Sequence, residues 1–497
     1  MSNLSLASLL KTRQTFVVVL AFGLFAMAAR GMLDPDIWWH LRTGQLIVHS
    51  HHLFHADPYS FTRSGQPWVN HEWLFDVLAF ALFRVAGAGA LIFAFALITS
   101  STFLLVFSRC PGRPYMAGVV TVLGAIASVS SWGVRPQMIS LLLATVSLFL
   151  LEHSDQRPGV VWWLVPLTVL WGNLHAGYAL GIALIALSLL GSALDFLFQA
   201  ERSAQSALHL RRLLLVLVAC CSVVLINPYG VQMYVYPFQT LRSPGMQRFI
   251  QEWFSPDFHD PKYLPLVLMI LGILLGIANS PKRLTARELL LLLPTMASAL
   301  WSVRHIPVFV VVAAPMLAGF LEGWLRQAPA RLLNGESGNF RRSAAPINLL
   351  VIVAIAGFAA ARAWWVVQQQ PAAEARQFPA AAVSFLVKEQ PPQPLMNHYN
   401  WGGYLVWKLY PDYRVYIDGR ADVYGDDFMS QFASAYYVTN DWKKPLRQWS
   451  IWTVVLPPDS PLVTALRSSP EWKQIYTDAQ AAVLRRVPTE SNPLKTK

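Results

Sequence analysis

The stretch that decides the fold is Thr15–Leu33, TFVVVLAFGLFAMAARGML, which continues directly into Asp34–Arg42, DPDIWWHLR. The first part is mostly apolar and is about as long as a helix needs to be to cross a bilayer core of about 30 Å. It therefore predicts a membrane-spanning helix. The second part places two acids, an aromatic pair and basic groups where that helix would leave the membrane.

The composition of the whole chain fits a protein with many such helices. Of its 497 residues, 55% are hydrophobic and only 13% are charged, and the mean hydropathy is +0.40. A soluble domain carries roughly 25% charged residues, so this chain has too few to cover a water-facing surface. The apolar content excludes a disordered chain, and the three cysteines, two of them adjacent, exclude a disulfide-rich scaffold.

Ten further apolar segments follow the first. The predicted spans lie near residues 15–33, 88–108, 115–132, 137–152, 160–174, 177–197, 212–226, 263–279, 288–303, 306–325 and 347–365. The predicted fold class is an all-α polytopic membrane domain of about eleven transmembrane helices. The first segment is interpreted as a span rather than a cleaved signal, because it continues to Leu33 and many spans follow.

The basic residues of the short loops predict the orientation. With the N-terminus in the cytoplasm, the short outer loops hold little more than Arg135 and Arg304. The cytoplasmic ends and loops then hold Lys11, Arg13, Arg109, Arg113, Arg157, Arg202, Arg211, Arg212, Lys282, Arg283, Arg287, Arg326, Arg331, Arg341 and Arg342. The net charge of +12 thus comes largely from the basic residues of the cytoplasmic loops, and a nucleic-acid partner is not expected.

The same orientation gathers the unusual polar residues on the outer face, where chemistry is therefore expected. They are Asp34, Asp36, His71, Glu72, Arg135, Asn173, His175, Asn227, Arg304 and His305. Several have a structural alternative. Arg135 and Arg304-His305 could bind either phosphate or lipid headgroups. His175 suits a pocket wall or ordinary packing, and Asn227-Pro228-Tyr229-Gly230 is typical of a turn.

Residues 366–497 differ from the spans by their dense charge, prolines and short alternating segments. They predict a small C-terminal exoplasmic α/β domain, which places the domain boundary between 1–365 and 366–497. The predicted strands are Leu395–Tyr399, Arg414–Asp418, Ile451–Pro457 and Ala481–Arg486, and the predicted helices are Pro379–Glu389, Phe428–Tyr437 and Pro461–Ser468. Asn400–Tyr404, NWGGY, and Asp418-Gly419-Arg420 indicate turns, or a lip over a membrane-side cavity.

The first outer loop, residues 34–87, is the strongest candidate for the reactive site. Thr43–His49 predicts an amphipathic interfacial helix, and Leu74–Val85 is apolar but too short for comfortable spanning, which favours a re-entrant or interfacial helix. A carboxylate at the interface can accept a proton from a hydroxyl or amide nucleophile, while nearby cations neutralise a lipid-phosphate leaving group. Asp36 suits this role; Asp34 suits either the same role or a helix cap.

These motifs resemble the GT-C superfamily of membrane glycosyltransferases, which use polyprenyl-phosphate-linked sugars. Asp36–Arg42, DIWWHLR, resembles the D-P-W-F-N-Y-R stretch of oligosaccharyltransferase catalytic subunits. It also resembles the D-E-x-x-Y start of aminoarabinose and protein O-mannosyl transferases, with Ile37 in place of their second acid. Asn70–Leu74, NHEWL, takes the place of their K-P-P-L segment, and Asn400–Tyr404 is distantly similar to W-W-D-Y-G. Bacterial membrane proteins share such landmarks along nearly the whole chain.

The resemblance implies an inverting glycosyltransferase of the bacterial cytoplasmic (inner) membrane. It would pass a sugar from an undecaprenyl-phosphate-type donor to an unidentified envelope acceptor on the outer face. Asp36 would be the base, assisted by Asp34. The residues expected to bind donor phosphate or shape the pocket are Arg42, His40, His71, Glu72, Arg135, His175, Arg304 and His305.

No soluble cofactor is required for this chemistry, because the energy lies in the phosphate linkage of the donor. A divalent cation, Mg²⁺ or Mn²⁺, is left open by the likeness to oligosaccharyltransferases, with ligands that the sequence does not specify. The alternatives are a lipid-linked-sugar transporter or flippase and a non-catalytic envelope scaffold. Transport would require polar groups in mid-span, whereas Asp195 lies close to a span end.

Reporter fusions test the predicted orientation. Fusions after Arg109, Arg212 and Arg342 should report the cytoplasm, and fusions near Pro58, near His259 and at the C-terminus should report the outer side, because the basic loops stay inside. A cytoplasmic C-terminus would contradict the outer placement of all the candidate residues.

Overall fold

The computed structural model describes residues 11–198, 203–280, 283–327 and 345–488. The chain divides into two compact units, each assembled from segments that are distant in sequence. Unit 1 comprises Met1–Gly31, Gly89–Tyr234 and Gln251–Gln368, and unit 2 comprises Met32–Ala88, Val235–Ile250 and Gln369–Lys497. The first outer loop thus belongs to the same unit as the C-terminal region.

Helices make up nearly all of the described chain up to residue 377. They are α1 (Thr12–Ala28), α2 (Ile37–Ser50), α3 (Trp73–Arg109), α4 (Pro114–Ser128), α5 (Pro136–His153), α6 (Leu164–Leu174), α7 (Tyr178–Phe198), α8 (Ala204–Val223), α9 (Gln232–Arg242), α10 (Pro244–Phe249), α11 (Leu264–Asn279), α12 (Ala286–Trp301), α13 (Ile306–Gln327) and α14 (Ala345–Gln377). Short 3₁₀ turns precede α6, α11 and α13.

Every predicted span overlaps one of these helices, and the chain is a multi-pass membrane protein. By length and composition, eight helical segments of the described residues can cross a membrane. The count of about eleven is higher because it includes α1, Pro158–Leu174 and α12, which have no more than 17 residues each. Five basic residues used for the orientation lie outside the described residues: Arg202, Lys282, Arg331, Arg341 and Arg342.

The predicted interfacial segment Leu74–Val85 and the predicted span 88–108 form one helix, α3, with a break between them. Ala86 and Gly87 leave helical geometry, and Gly87 has a positive φ of 58° that favours glycine. The break separates the short apolar segment 74–85 from the predicted span 88–108. Likewise, the predicted helix Thr43–His49 is the second half of α2, which begins earlier, at Ile37.

In unit 1, α7 and α12 approach each other closely. A Cβ on Gly191 of α7 would lie 2.3 Å from the Cα of Arg287, so the contact depends on the missing side chain. Asp195, one turn further along α7, accepts hydrogen bonds from the backbone N–H groups of Ala286 (2.7 Å) and Arg287 (3.2 Å). This acid therefore satisfies the N-terminus of α12.

The C-terminal part of unit 2 is a small α/β fold. Its elements are α15 (Ala380–Glu389), β1 (Leu395–Asn397), α16 (Gly402–Leu409), α17 (Ala421–Tyr436), α18 (Lys443–Gln448), β2 (Thr453–Leu456), α19 (Pro461–Arg467), β3 (Trp472–Thr477) and β4 (Ala482–Arg486). The sheet order is β1-β2-β4-β3, with β1 parallel to β2 and the other pairs antiparallel. Apolar side chains of β2 and β4, such as Val454 and Leu484, form its core with α17 and α19.

Three of the four predicted strands are confirmed as β1, β2 and β4, and two predictions are wrong. Arg414–Asp418 does not join the sheet; instead Val415 pairs with the first outer loop, through backbone hydrogen bonds to Tyr59 (3.1 Å) and Phe61 (3.2 Å). For Asn400–Tyr404 the turn alternative is wrong, since a short 3₁₀ helix, Tyr399–Trp401, continues directly into α16 at Gly402. Strand β3 was not predicted, because its side chains are mostly half-exposed or exposed.

Replacing Gly191 by Ala tests the close packing of α7 on α12. The added methyl must separate two backbones, which should lower stability by about 1–3 kcal/mol and reduce the thermal unfolding midpoint of the detergent-purified protein. Gly357→Ala in α14 is the matched control: no atom lies within 4 Å of the added Cβ, so the midpoint should hold or rise. Equal effects of the two substitutions would contradict this packing.

Candidate functional site

In unit 2, Asp36 stands at the N-terminal end of α2. Its Oδ1 accepts a hydrogen bond from the Trp39 indole N–H, at 3.2 Å. Asp34 Oδ1 accepts one from the backbone N–H of Asp36, at 2.9 Å. Asp36 occupies the N-cap position without capping through its side chain. Asp34 therefore stabilises the turn that leads into α2, and the half-buried Asp36 carboxylate is held from inside the helix by Trp39.

Behind Trp39 lies a buried network centred on His40, which is 1% exposed. The His40 Nδ1 lies 2.6 Å from Asp76 Oδ1, and its Nε2 lies 3.3 Å from Glu72 Oε2. The Asn70 amide donates to the second oxygen of Asp76, at 2.8 Å. The Trp39 ring contacts the imidazole, with centroids 3.6 Å apart and planes tilted by 31°. Both ring nitrogens of His40 thus face carboxylates.

These carboxylates raise the pKa of His40. Burial by itself lowers the pKa of the imidazole, but Glu72, Asp76 and Asp36 outweigh it and bring the pKa above its ordinary value. Asp76 was not among the residues expected from the sequence, although an acid four residues after Glu72 in an apolar helix was a usable signal.

The other candidates of unit 2 lie around this network. His71 Nε2 is 3.4 Å from Glu72 Oε1, and the His71 ring lies 4.0 Å from that of Tyr236. Burial lowers the pKa of His71, but the Glu72 carboxylate outweighs it and raises the pKa. Arg42 donates to Gln45 Oε1 at 2.6 Å and to the Tyr410 carbonyl. The structure thus brings together His40, His71 and Glu72, while Arg42 contacts the residue that follows α16.

In unit 1, Arg135 and Arg304 lie near an acid, Glu252. Arg135 binds both carboxylate oxygens of Glu252, one of them at 2.9 Å. The Arg304 guanidinium lies 5.4 Å from the Trp253 ring, and the His305 ring is 5.9 Å from the same ring. Burial raises the pKa of Glu252, but Arg135 and Arg304 outweigh it and lower the pKa. The charge of Arg135 is therefore matched within unit 1.

His175 is part of a separate, satisfied cluster in unit 1. Its Nδ1 is 2.7 Å from the Ser140 hydroxyl and accepts from the Gly177 N–H at 2.9 Å. The Trp171 indole donates to the same Ser140 oxygen, at 2.7 Å. The neighbouring Asn173 donates to the carbonyls of Val169 and Ile226. These contacts tie helix ends together, which is the packing alternative that the sequence left open for His175.

No profile of a known protein family and no curated protein sequence matches the chain. Several solved structures match the chain. An oligosaccharyltransferase of Archaeoglobus fulgidus, tethered with an acceptor peptide containing the NVT sequon, matches with a TM-score of 0.56 at 13% identity, covering 90% of this chain and 69% of that one. The same enzyme with an inhibitory peptide and a dolichol-phosphate gives 0.50 at 12% identity, covering 89% and 69%. The chain shares the GT-C fold.

A further match is ArnT from Cupriavidus metallidurans bound to undecaprenyl phosphate, with a TM-score of 0.48 at 13% identity, covering 96% of this chain and 98% of that one. The two matches to the archaeal enzyme show a common fold, and at 12–13% identity they do not show a common substrate. They confirm the fold that the motifs implied over most of the chain, while the roles of individual residues stay predictions.

The described residues do not supply an evident metal centre. Within them, no group of three or more His, Cys, Asp or Glu side chains is arranged to hold a metal ion. Around His40, the imidazole occupies the space between Glu72 and Asp76, so their carboxylates face a ring rather than an open centre. The described residues around His40 therefore do not fit a divalent cation. The archaeal enzyme has also been solved with zinc and sulfate.

The raised pKa of His40 predicts how the stability of the protein depends on pH. A histidine whose folded-state pKa is raised above 6.5 stabilises the fold fully below that value and loses this contribution as pH rises through the folded pKa. The thermal unfolding midpoint should therefore fall as the pH rises above about 6.5, and fall less in His40→Gln. His259→Gln, at a fully exposed side chain, should leave the slope unchanged. An identical slope in His40→Gln would contradict the raised pKa.

Proposed function

We propose that the chain is a GT-C-type glycosyltransferase of the bacterial cytoplasmic membrane. It moves a sugar from a polyprenyl-phosphate-linked donor to an acceptor on the outer face. The shared fold supports this proposal, because the archaeal enzyme that it resembles was solved with an acceptor peptide and with a dolichol-phosphate. The acceptor of this chain is assigned only as an envelope molecule with a nucleophilic hydroxyl or amide.

The single observation that carries the proposal is the setting of Asp36. Its carboxylate lies at the end of a helix directly after the first apolar helix, and it is oriented by the Trp39 indole. In the transfer step, the acceptor oxygen or nitrogen attacks the anomeric carbon and the carbon–oxygen bond to phosphate breaks. The electron pair leaves with the lipid phosphate, and Asp36 takes the acceptor proton. A single displacement of this kind inverts the anomeric centre.

The buried network supports Asp36 indirectly. The Trp39 ring contacts the His40 ring, and His40 is fixed between two carboxylates. A ring held on both nitrogens cannot rotate freely, so the indole that binds Asp36 is held in one orientation. In this proposal His40, Glu72 and Asp76 hold Trp39 in place, and they affect Asp36 only through Trp39. Arg135, Arg304 and His305 remain candidates for the donor phosphate.

The contacts of Asp195 disfavour the transporter alternative. Transport of a charged lipid-linked sugar requires polar groups along its path through the spans. The Asp195 carboxylate is instead bound to two backbone amides of α12. A non-catalytic envelope scaffold is the remaining alternative, and a measurement of sugar transfer distinguishes it from an enzyme.

Substitution of Asp36 tests the proposed base. Asp36→Asn keeps the shape and the hydrogen bond from Trp39 but removes basicity, so the transfer rate should fall on the order of 10²- to 10⁴-fold. Donor binding should change little. The assay uses purified protein, an undecaprenyl-phosphate sugar and envelope extract, with thermal unfolding measured for each variant.

Asp34→Asn is the matched control. Its amide oxygen can still accept the Asp36 N–H, so the variant should keep most activity and lose at most about 1 kcal/mol of stability. Wild-type rates from a well-folded Asp36→Asn protein would refute the role of Asp36. Donor binding without turnover in that variant is the result expected of a glycosyltransferase.

A further inference from the structure

A buried ion cluster joins the first outer loop to the C-terminal region within unit 2. Arg420 is 2% exposed, and its partners Asp57 and Asp418 are 2% and 0% exposed. The Arg420 Nη2 donates to Asp57 Oδ1 and to Asp418 Oδ2, both at 2.7 Å, and its Nε donates to Asp418 Oδ1 at 2.9 Å. One guanidinium therefore bridges two carboxylates that are 361 residues apart in sequence.

The rest of the cluster leaves Arg420 little room to move. Aromatic rings surround the guanidinium, with Cζ 4.5 Å from Trp68, 4.9 Å from Tyr59 and 6.0 Å from Trp39. The carboxylates have further donors of their own. Asp57 accepts from the backbone N–H groups of residues 59 and 60 and from the Ser60 hydroxyl, and Asp418 accepts from the Tyr424 hydroxyl. Buried charges need partners of this kind, and the pairing holds the backbone on both sides of residue 419, although the Arg420 Nη1 has no hydrogen-bond partner among the described residues.

Gly419 lies between these two fixed residues and against Asp36. A Cβ on Gly419 would lie only 1.7 Å from Asp36 Oδ1 and 2.8 Å from its Cγ. The carboxylate therefore packs directly on the glycine backbone, in space that any side chain would fill. The same oxygen accepts the hydrogen bond from Trp39. Asp36 Oδ1 is thus held between the Trp39 indole and the Gly419 backbone.

The start of α16 closes the other side of this arrangement. A Cβ on Gly403 would lie 2.5 Å from the Pro35 carbonyl oxygen, and one on Gly402 would lie 2.1 Å from the Ile417 carbonyl oxygen. The Gly402-Gly403 pair is therefore wedged between the residue before Asp36 and the segment that leads to Asp418. The two motifs that the sequence indicated as turns both pack against the Pro35–Asp36 turn.

We propose that Gly419 and Arg420 are positioning residues for Asp36. Arg420, anchored by Asp57 and Asp418, holds the Gly419 backbone against the Asp36 carboxylate and limits that carboxylate to one orientation. Neither residue is assigned a contact with substrate. The catalytic consequence rests on the proposed function of Asp36, but the positioning itself does not. Since a displacement of about 1 Å in a reacting group can cost about 10²-fold in rate, a methyl group at residue 419 should be costly.

A double-mutant cycle tests the contact without reference to activity. Gly419→Ala should lower the thermal unfolding midpoint by about 4 °C in the wild-type protein. It should lower the midpoint much less in Asp36→Ala, which lacks the oxygen that the methyl would meet. If Gly419→Ala alone does not fold, recovery of folding in the double variant is the same result in stronger form. Equal losses in both backgrounds, or failure of both proteins to fold, would overturn the positioning.

The activity arm uses a second variant that keeps the buried charge. Arg420→Lys retains one cation but cannot bridge both carboxylates as a guanidinium does. In folded Gly419→Ala and Arg420→Lys proteins, kcat should fall about 10²-fold while the KM for an undecaprenyl-phosphate sugar stays within about twofold. Unchanged kcat in both folded variants would overturn the proposal.

The two hypotheses fail in different ways. Coupling in the cycle together with wild-type rates from Asp36→Asn would refute the proposed base and leave the positioning intact. Loss of activity in Asp36→Asn without any coupling between residues 36 and 419 would support the base and refute the positioning.

Discussion

The fold of unit 2 depends on the buried charges of Arg420, Asp57 and Asp418. Two carboxylates and one guanidinium out of contact with water are stable only while each remains paired. This requirement links residues near 57 to residues near 420, so the first outer loop folds together with the C-terminal region. The backbone pairing of Val415 with Tyr59 and Phe61 extends the same junction. The unit is consequently a product of two sequence regions, because Asp57 of the first outer loop pairs with Arg420 of the C-terminal region.

A second constraint acts within unit 1, where helices must satisfy their ends and pack closely without help from water. Small residues permit the close approach, as Gly191 does between α7 and α12. Polar side chains near helix ends form hydrogen bonds with backbone groups. Asp195 accepts one from the Ala286 N–H, and Asn173 donates one to the Val169 carbonyl. A structural role therefore accounts for several of the polar residues in this apolar sequence.

Electrostatics distinguishes the candidate residues of the two units. The cluster in unit 2 is rich in carboxylates, which raise the pKa of both His40 and His71. The candidates of unit 1 are mainly cationic, and the Glu252 carboxylate is paired with Arg135. His40 and Arg135 thus each have an acidic partner within their own unit.

The sequence by itself determined that the chain is a multi-pass membrane protein and where its helices lie, because hydrophobic runs of fixed length are local signals. It also singled out Asp36 as a candidate base, from its place at the predicted membrane boundary. It also predicted strands β1, β2 and β4. It could not show that 414–418 pairs with the first outer loop, or that NWGGY starts a helix. Nor could it show that His40 lies between Glu72 and Asp76, or that Gly419 touches Asp36. Only the tertiary structure decided these, since each depends on a partner far away in sequence whose distance, burial and charge no local pattern records.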